Sequence, residues 1–566
     1  MRALRCIIVV ALTLIAPWSA KAASTLYDCL FLEAVTQREK GNYDAAFDLL
    51  RYCLAINPEA AEAYFYIAPH YLMLRDKERA LAAYEKAVEL CPDNLTYLEV
   101  LARTYTASGR FDDAIRTLEN FVEIDKSEES MLELLVTLYV QDAATYPKAI
   151  GILNRLEELE GKNESLSTTK SDIYSAMGDK EAAVKELKEL ADQYPHDVGY
   201  RCLYGDMLLK NGDDEEAYLT FQSVLAEEPD NSKAQMSLRT YYDKIGDKAA
   251  ADSISLIVLS NKNTTDEERM YIIRQEIGEQ TRGEADSTKV LSYFAVAIEA
   301  EQEPGGIGYA CASYMDLIKM PQDTINEVLR RVLDKAPDYA PARLQLVAAA
   351  WEDDDMETAA ILCGEARQYN PDDMVFYYYQ GIALYRLNWD DEALEAFRNG
   401  LGVINSDSNP DIVSDFYAVM GDILYQQGSI QEAFDAYDSC LVWKQDNYAC
   451  LNNYAYFLSE RGERLDEAEA MSYRAIMAEP KNATYLDTYA WILFMQERYA
   501  EAQIYIDQAM QNDGDTSAVI IEHAGDIAAL NDNMPAALQL WETALEHDPT
   551  NAVLRRKIEQ KQYIQR

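Results

Sequence analysis

The stretch GDIAALNDNMPAALQLWETALEHDPTN, residues 525–551, decides the fold. Within it Gly525, Ala537, Trp541, Ala544 and Pro549 are separated by 12, 4, 3 and 5 residues. Gly205, Ala217, Phe221, Val224 and Pro229 keep the same separations, as do Ala68, Ala80, Tyr84, Ala87 and Pro92. A fixed spacing with changing filler marks one structural unit used many times.

The copy at 61–94, AEAYFYIAPHYLMLRDKERALAAYEKAVELCPDN, shows what the unit is. Tyr64, Ile67, Ala68 and Tyr71 fall on one helical face, and Ala80, Leu81, Tyr84, Ala87 and Val88 form a second stripe. The polar break Arg75-Asp76-Lys77 separates them. Pro92 ends the second helix, because it has no N–H to donate and restrains the residue before it. The unit is therefore a helical hairpin of about 34 residues. Ala68 and Ala80 are small because the two helices cross closely, and Tyr84 fills the space beside them.

With this pattern the chain resembles the tetratricopeptide repeat family. That family has a small residue in the first helix, Ala, an aromatic and Ala in the second, and Pro at the end. The resemblance implies an all-α fold, a right-handed α-solenoid of tandem helix-turn-helix hairpins. Copies fall at 27–60, 61–94, 95–128, 129–163, 164–197, 198–231 and, degraded, 232–265. A second series runs at 306–339, 340–373, 374–407, 414–447, 448–482, 483–516 and 518–551. The sequence thus divides into a leader at 1–22, an N-terminal array at 23–265, an irregular helical junction at 266–305, a C-terminal array at 306–551 and a capping helix at 552–566. In the junction, Thr265 with Glu268 predicts a capping box. Two helices, DEERMYIIRQEIGEQ and TKVLSYFAVAIEAEQ, are expected there, before the break EPGGIG at 303–308. That Gly-rich stretch is no phosphate loop: no strand pattern precedes it and no Gly-Lys-Ser/Thr follows.

The start of the chain reads as a secretory signal peptide. Arg2 and Arg5 precede the apolar run CIIVVALTLIA, and Ala20-Lys21-Ala22 supplies the small residues of a cleavage point after Ala22. The run is about half the ~20 residues a membrane-spanning helix needs. No Cys stands at the cleavage point, since Leu26-Tyr27-Asp28 precede Cys29. The sequence therefore predicts an exported protein of a Gram-negative periplasm or envelope, with no lipid anchor and no transmembrane segment.

The formal net charge of −47 makes nucleic acid and anionic lipid surfaces poor partners and favours a basic or neutral one. Of nine cysteines, Cys6 falls in the leader and an even number remains, as exported disulfide proteins have. Cys29 and Cys53 are equidistant from Gly41 in a hairpin turn, and Cys440 and Cys450 are equidistant from Gln445. Both pairs are expected to form disulfides. Cys91, Cys202, Cys311 and Cys363 read as small buried residues in place of Ala.

Signals for chemistry are poor. His70, His196, His523 and His547 show no paired metal-ligand spacing, and neither CxxC nor GxSxG occurs. With 98 acidic residues, carboxylate pairs carry no information about catalysis. The sequence predicts no enzyme, no cofactor and no metal.

What remains is a binding surface. The family resemblance implies that one stripe of each first helix lines a concave groove. In the C-terminal array that stripe holds Tyr378, Tyr385, Tyr425, Asn452 and Tyr456, followed by Asp487, Trp491, Phe494 and Asp526. Aromatic rings give contact area at low entropic cost, Asn holds peptide backbone, and carboxylates favour Lys or Arg on the ligand. One subgroup of the family clamps acidic peptide termini with Lys, Arg and Asn here, but the matching positions in this chain are mostly acidic or aromatic. The predicted function is a protein-binding scaffold. The alternative is a glycan or peptidoglycan binder that stacks sugars on the same rings.

Overall fold

A computed structural model describes residues 25–283 and 286–564; the leader at 1–22 lies outside the described residues. The described chain is helical, with 3-10 turns at Ala143–Thr145 and Gly514–Thr516. It falls into two compact units, one ending at Thr264 and one starting at Thr265.

In each unit consecutive helices pair as antiparallel hairpins, for example Ala61–Met73 with Lys77–Leu90, and Ala518–Leu530 with Met534–His547. Each hairpin then packs on the next, and contacts stay between close neighbours along the chain, as in a solenoid. Short polar side chains start many of the helices. Asn94, Asp179, Asn482 and Asn551 each accept a backbone N–H of the first turn. The turn inside a hairpin needs one left-handed residue. Gly428 takes it at φ +83°, and Asn388 takes the matching conformation at +60°.

The repeat spacing has a plain steric cause. Gly205, Gly381, Gly421 and Gly525 lie in first helices, and Phe221, Phe397, Tyr437 and Trp541 lie 16 residues further on in second helices. A Cβ on any of these glycines would stand less than 3.0 Å from the ring of its partner. A missing side chain on one helix is thus the seat of a large ring on the other. In the degraded copy the same two slots hold Arg239 and Ser255, and Arg239 Nε donates to Ser255 Oγ at 2.8 Å. A buried polar contact stands where an aromatic stands elsewhere.

Tyrosines also staple hairpin to hairpin. The Tyr105, Tyr139 and Tyr489 hydroxyls each donate to a glutamate 20 residues earlier: Glu85 at 2.8 Å, Glu119 at 2.7 Å and Glu469 at 3.2 Å. A cation at or just before the start of the following helix closes each contact: Arg110 on Glu85 at 3.0 Å, Lys148 on Glu119 at 2.6 Å and Arg498 on Glu469 at 2.9 Å. Arg110 and Lys148 also lie over the Tyr105 and Tyr139 rings. Part of the chain's 40 tyrosines is spent on this inter-repeat contact rather than on a groove.

The stretch after Thr264 opens with the expected capping box between Thr265 and Glu268. It forms a further helix pair, Asp266–Thr281 and Ser287–Ala300, which belongs to the second unit.

The two cysteine pairs fare differently. Cys29 and Cys53 are free thiols, the first exposed and the second buried. Cys53 packs with Tyr27, Ala60 and Ala63, so the residue facing it across the hairpin is Tyr27, and Cys29 points to the surface. Cys440 and Cys450 are both buried free thiols whose side chains meet in a hydrogen bond, so the structure brings this pair together. Ser414 Oγ lies 3.1 Å from Cys440 Sγ, while Cys450 Sγ donates to the Tyr437 carbonyl at 3.8 Å.

Candidate functional site

In the second unit the first helices touch one another directly: Met374–Arg386 meets Pro410–Gln426, which meets Tyr448–Glu460, then Ala483–Met495 and Ala518–Leu530. Among the described residues no pairing of comparable extent joins the second helices, so the first helices line the inner side of this stack. The predicted stripe runs along them, and the structure divides it into two parts.

At its start the rings reach the surface. Tyr378 is half-buried; its hydroxyl donates to Asp415 at 3.3 Å, and its ring meets Tyr379 and Phe416 edge-on. Burial, reinforced by Asp415, pushes the Tyr378 hydroxyl up to about 12. Tyr385 and Tyr425 are also half-buried. Tyr425 stacks on Phe457 with centroids 3.9 Å apart, and Tyr456 lies edge-on to the same ring. Between them sits Asp422, which accepts from Tyr437 Oη at 2.6 Å and Asn453 Nδ2 at 3.1 Å.

Burial holds the Asp422 carboxyl above its ordinary range, against the pull of Tyr437 and Asn453. A raised folded-state value means stability present at acid pH that is lost as pH rises through that value. Asp422→Asn still accepts from Tyr437 but never ionises. Its urea midpoint is expected to exceed that of the wild type at pH 8, with the gap closing toward pH 4. A midpoint difference that does not change with pH would refute this.

The far part of the stripe is interior, which corrects the expectation of open groove residues. Asn452, Asp487, Trp491, Phe494 and Asp526 are each buried, Trp491 at 6% exposure and Asp526 at 2%. The cover comes from later elements. His523, in the following hairpin, stacks on Trp491 at 4.0 Å, and its Nδ1 lies 2.9 Å from Asp487. Trp491 Nε1 donates to Glu460 at 2.8 Å, Phe494 stacks on Trp491 at 4.7 Å, and Tyr563 lies edge-on to Phe494. Lys557, on the helix Ala552–Gln560, reaches Asp526 at 2.6 Å and Glu522 at 2.8 Å. Sequence reasoning missed this lysine, reading RRKIEQKQYIQR only as a polar cap. The one local signal for it is a three-residue spacing from Leu554, which puts both side chains on the buried face of that helix. The neighbouring cations Arg555 and Arg556 fall on other faces, and Lys561, seven residues after Leu554, lies past the helix end at Gln560.

Among the described residues no group of three His, Cys, Asp or Glu converges as a metal site, and no helix is long and apolar enough to cross a membrane. The arrangement offers rings, carboxylates and amides on one face, suited to binding.

Fold and face together define a helical-hairpin repeat protein built to present a surface. Two family models match the chain: tetratricopeptide repeat over residues 168–232, and anaphase-promoting complex, cyclosome, subunit 3 over residues 39–121. The chain thus carries tetratricopeptide repeats over residues 168–232 and resembles tetratricopeptide-repeat proteins more widely. It is 22% identical over 343 residues to human tetratricopeptide repeat protein 21B, covering 55% of this chain and 25% of that protein. It is 25% identical over 182 residues to TPR repeat-containing protein PA4667 of Pseudomonas aeruginosa, covering 31% of this chain and 29% of that one. The chain thus spans less than a third of the length of either relative. A chain from the solved structure of Naa15/Naa10 bound to HypK-THB aligns over 96% of this chain and 93% of its own, at 14% identity and a TM-score of 0.41.

Proposed function

We propose that this protein is a non-catalytic scaffold of a bacterial cell envelope, holding a peptide or protein segment along the first-helix face of its second unit. Tetratricopeptide arrays in general mediate protein–protein contacts. The observation that carries the reading is the half-exposed row Tyr378, Tyr385 and Tyr425, with Asp415 beside it. The acidic balance and these carboxylates favour a partner segment bearing Lys or Arg. The envelope rests on the leader in the sequence. The glycan alternative needs open ring faces for sugars, and one of its rings, Trp491, is sandwiched between His523 and Phe494.

Two experiments test this. Exported protein is expected to begin at Ala23 on N-terminal sequencing; an intact Met1 would remove the envelope from the proposal. Partners captured from envelope extract are expected to be lost from a variant carrying Tyr378→Ala, Tyr385→Ala and Tyr425→Ala, with its helix content unchanged. Retention of the same partners by that variant would place binding elsewhere on the chain.

A further inference from the structure

Beyond the helix Ala552–Gln560 the chain turns back on itself. Lys561 takes the left-handed conformation at φ +52°, and the Gln562 N–H closes the turn on the Lys557 carbonyl at 3.3 Å. Residues 561–564 then form a strap over the first-helix face of the second unit. Tyr563 is half-buried: its ring meets Phe494 edge-on at 5.4 Å, and the Lys557 ammonium stands 5.5 Å from its centroid. Burial, with Asp526 and Glu460 close by, pushes its hydroxyl up to about 12. Tyr563 and Ile564 share a cavity of about 100 Å³ with Glu460, Met495, His523 and Asp526. Those four side chains come from Tyr448–Glu460, Ala483–Met495 and Ala518–Leu530, the helices that carry the stripe onward from the tyrosine row.

The strap fills its place loosely. Among the described residues no hydrogen bond holds Tyr563 or Ile564, and the cavity beside them is packing contact forgone. Lys561 enters the left-handed region at a cost that its Cβ imposes. The face itself is built without the strap: Phe494 stacks on Trp491, and Asp526 is held by Lys557 and Trp541. A formed slot for one aromatic side chain, closed by a segment with few ties, is a contact that another segment can take over.

We propose that residues 561–564 occupy the far part of the binding face in cis, and that a protein segment presenting Tyr followed by a large aliphatic residue displaces them and seats its own ring on Phe494. The strap itself supplies the chemistry of that occupant, a phenol ring between Phe494 and Lys557 with the aliphatic side chain of Ile564 after it. The proposal extends the scaffold reading along the same face and rests on it for the class of partner.

The test is a fluorescence-polarisation titration of the full chain with the labelled peptide QKQYI, the sequence of residues 560–564, and with QKQSI as control. In one variant Tyr563→Ser and Ile564→Ser empty the slot. In a second, Lys561→Pro keeps both side chains but forbids the turn, since Pro cannot take a positive φ. Both variants are expected to keep the helix content of the wild type. QKQYI is expected to bind each variant at least tenfold tighter than it binds the wild type, whose tethered strap competes at high local concentration. QKQSI is expected to bind none of the three proteins. Equal affinity of QKQYI for wild type and variants, no binding to either variant, or equal binding of QKQSI would each overturn the proposal. The titration uses no envelope partner, so its failure is a different result from retention of partners by the tyrosine-row variant, which would overturn the scaffold reading at that row.

Discussion

Replacing Lys557 with Met is expected to destabilise the last hairpin of the second unit by about 3–5 kcal/mol at pH 8, the cost of breaking a buried ion pair from one side. Lys557 is 1% exposed and lies 2.8 Å from Glu522 and 2.6 Å from Asp526, which are themselves 2% exposed. Asn551 also donates to Glu522, and Trp541 Nε1 to Asp526. Those two neutral donors cannot balance two buried charges. Burial already holds Asp526 above its ordinary range with Lys557 pulling it down, so losing the ammonium raises it further. A carboxyl raised in the folded state contributes stability below its unfolded value and loses it as pH rises through the folded one. The deficit of Lys557→Met should therefore be smallest near pH 4 and grow toward pH 8. Repeat arrays need not unfold in a single step, so hydrogen exchange in Ala518–Leu530 and Met534–His547 is the suitable readout. Wild-type protection at pH 8, or a deficit independent of pH, would sink this account.

This cluster also marks where the sequence stops being readable. The hairpins were legible because each rests on a local rule: a ring must sit against a missing or small side chain, and both lie within one repeat. Gly525 with Trp541 and Gly205 with Phe221 carry that rule on their face. Burial of the first-helix stripe follows no such rule. An aromatic at Tyr425 and one at Trp491 lie on the same predicted stripe, yet only the first reaches solvent. Trp491 is covered because His523 comes from the next hairpin and Tyr563 beyond it packs on Phe494, contacts that span 32 residues and more. The staples of Tyr105, Tyr139 and Tyr489 lay between these cases. Their constant separation of 20 from a glutamate was visible in the sequence, but not the cation that completes each one. The pairing of Cys29 with Cys53 fails for a related reason. Equal distance from a turn places Cys29 and Cys53 at the same height of a hairpin, but not on facing sides of it.

The close approach of Gly381 to Phe397 supplies the second large effect. Phe397 is fully buried, packs edge-on against Phe416, and lies where a Cβ on Gly381 would intrude. Phe397→Ala alone is expected to cost about 3–5 kcal/mol through the cavity it leaves. Gly381→Leu alone gains about 1 kcal/mol of helix propensity but forces side chains into a filled space, which costs about 1–3 kcal/mol or more. Propensity therefore loses to sterics, and the net effect is destabilising. The two changes act on one volume, however. In the double variant the Leu side chain enters the space the ring has left, so each change relieves the other. The double variant is expected to recover at least about 2 kcal/mol relative to the sum of the singles, at the upper part of the range for neighbouring residues. Urea unfolding of the four proteins, followed by loss of helix, gives the cycle. Strict additivity would mean that the glycine is not there to seat the ring, and the steric origin assigned to the repeat spacing would fall with it.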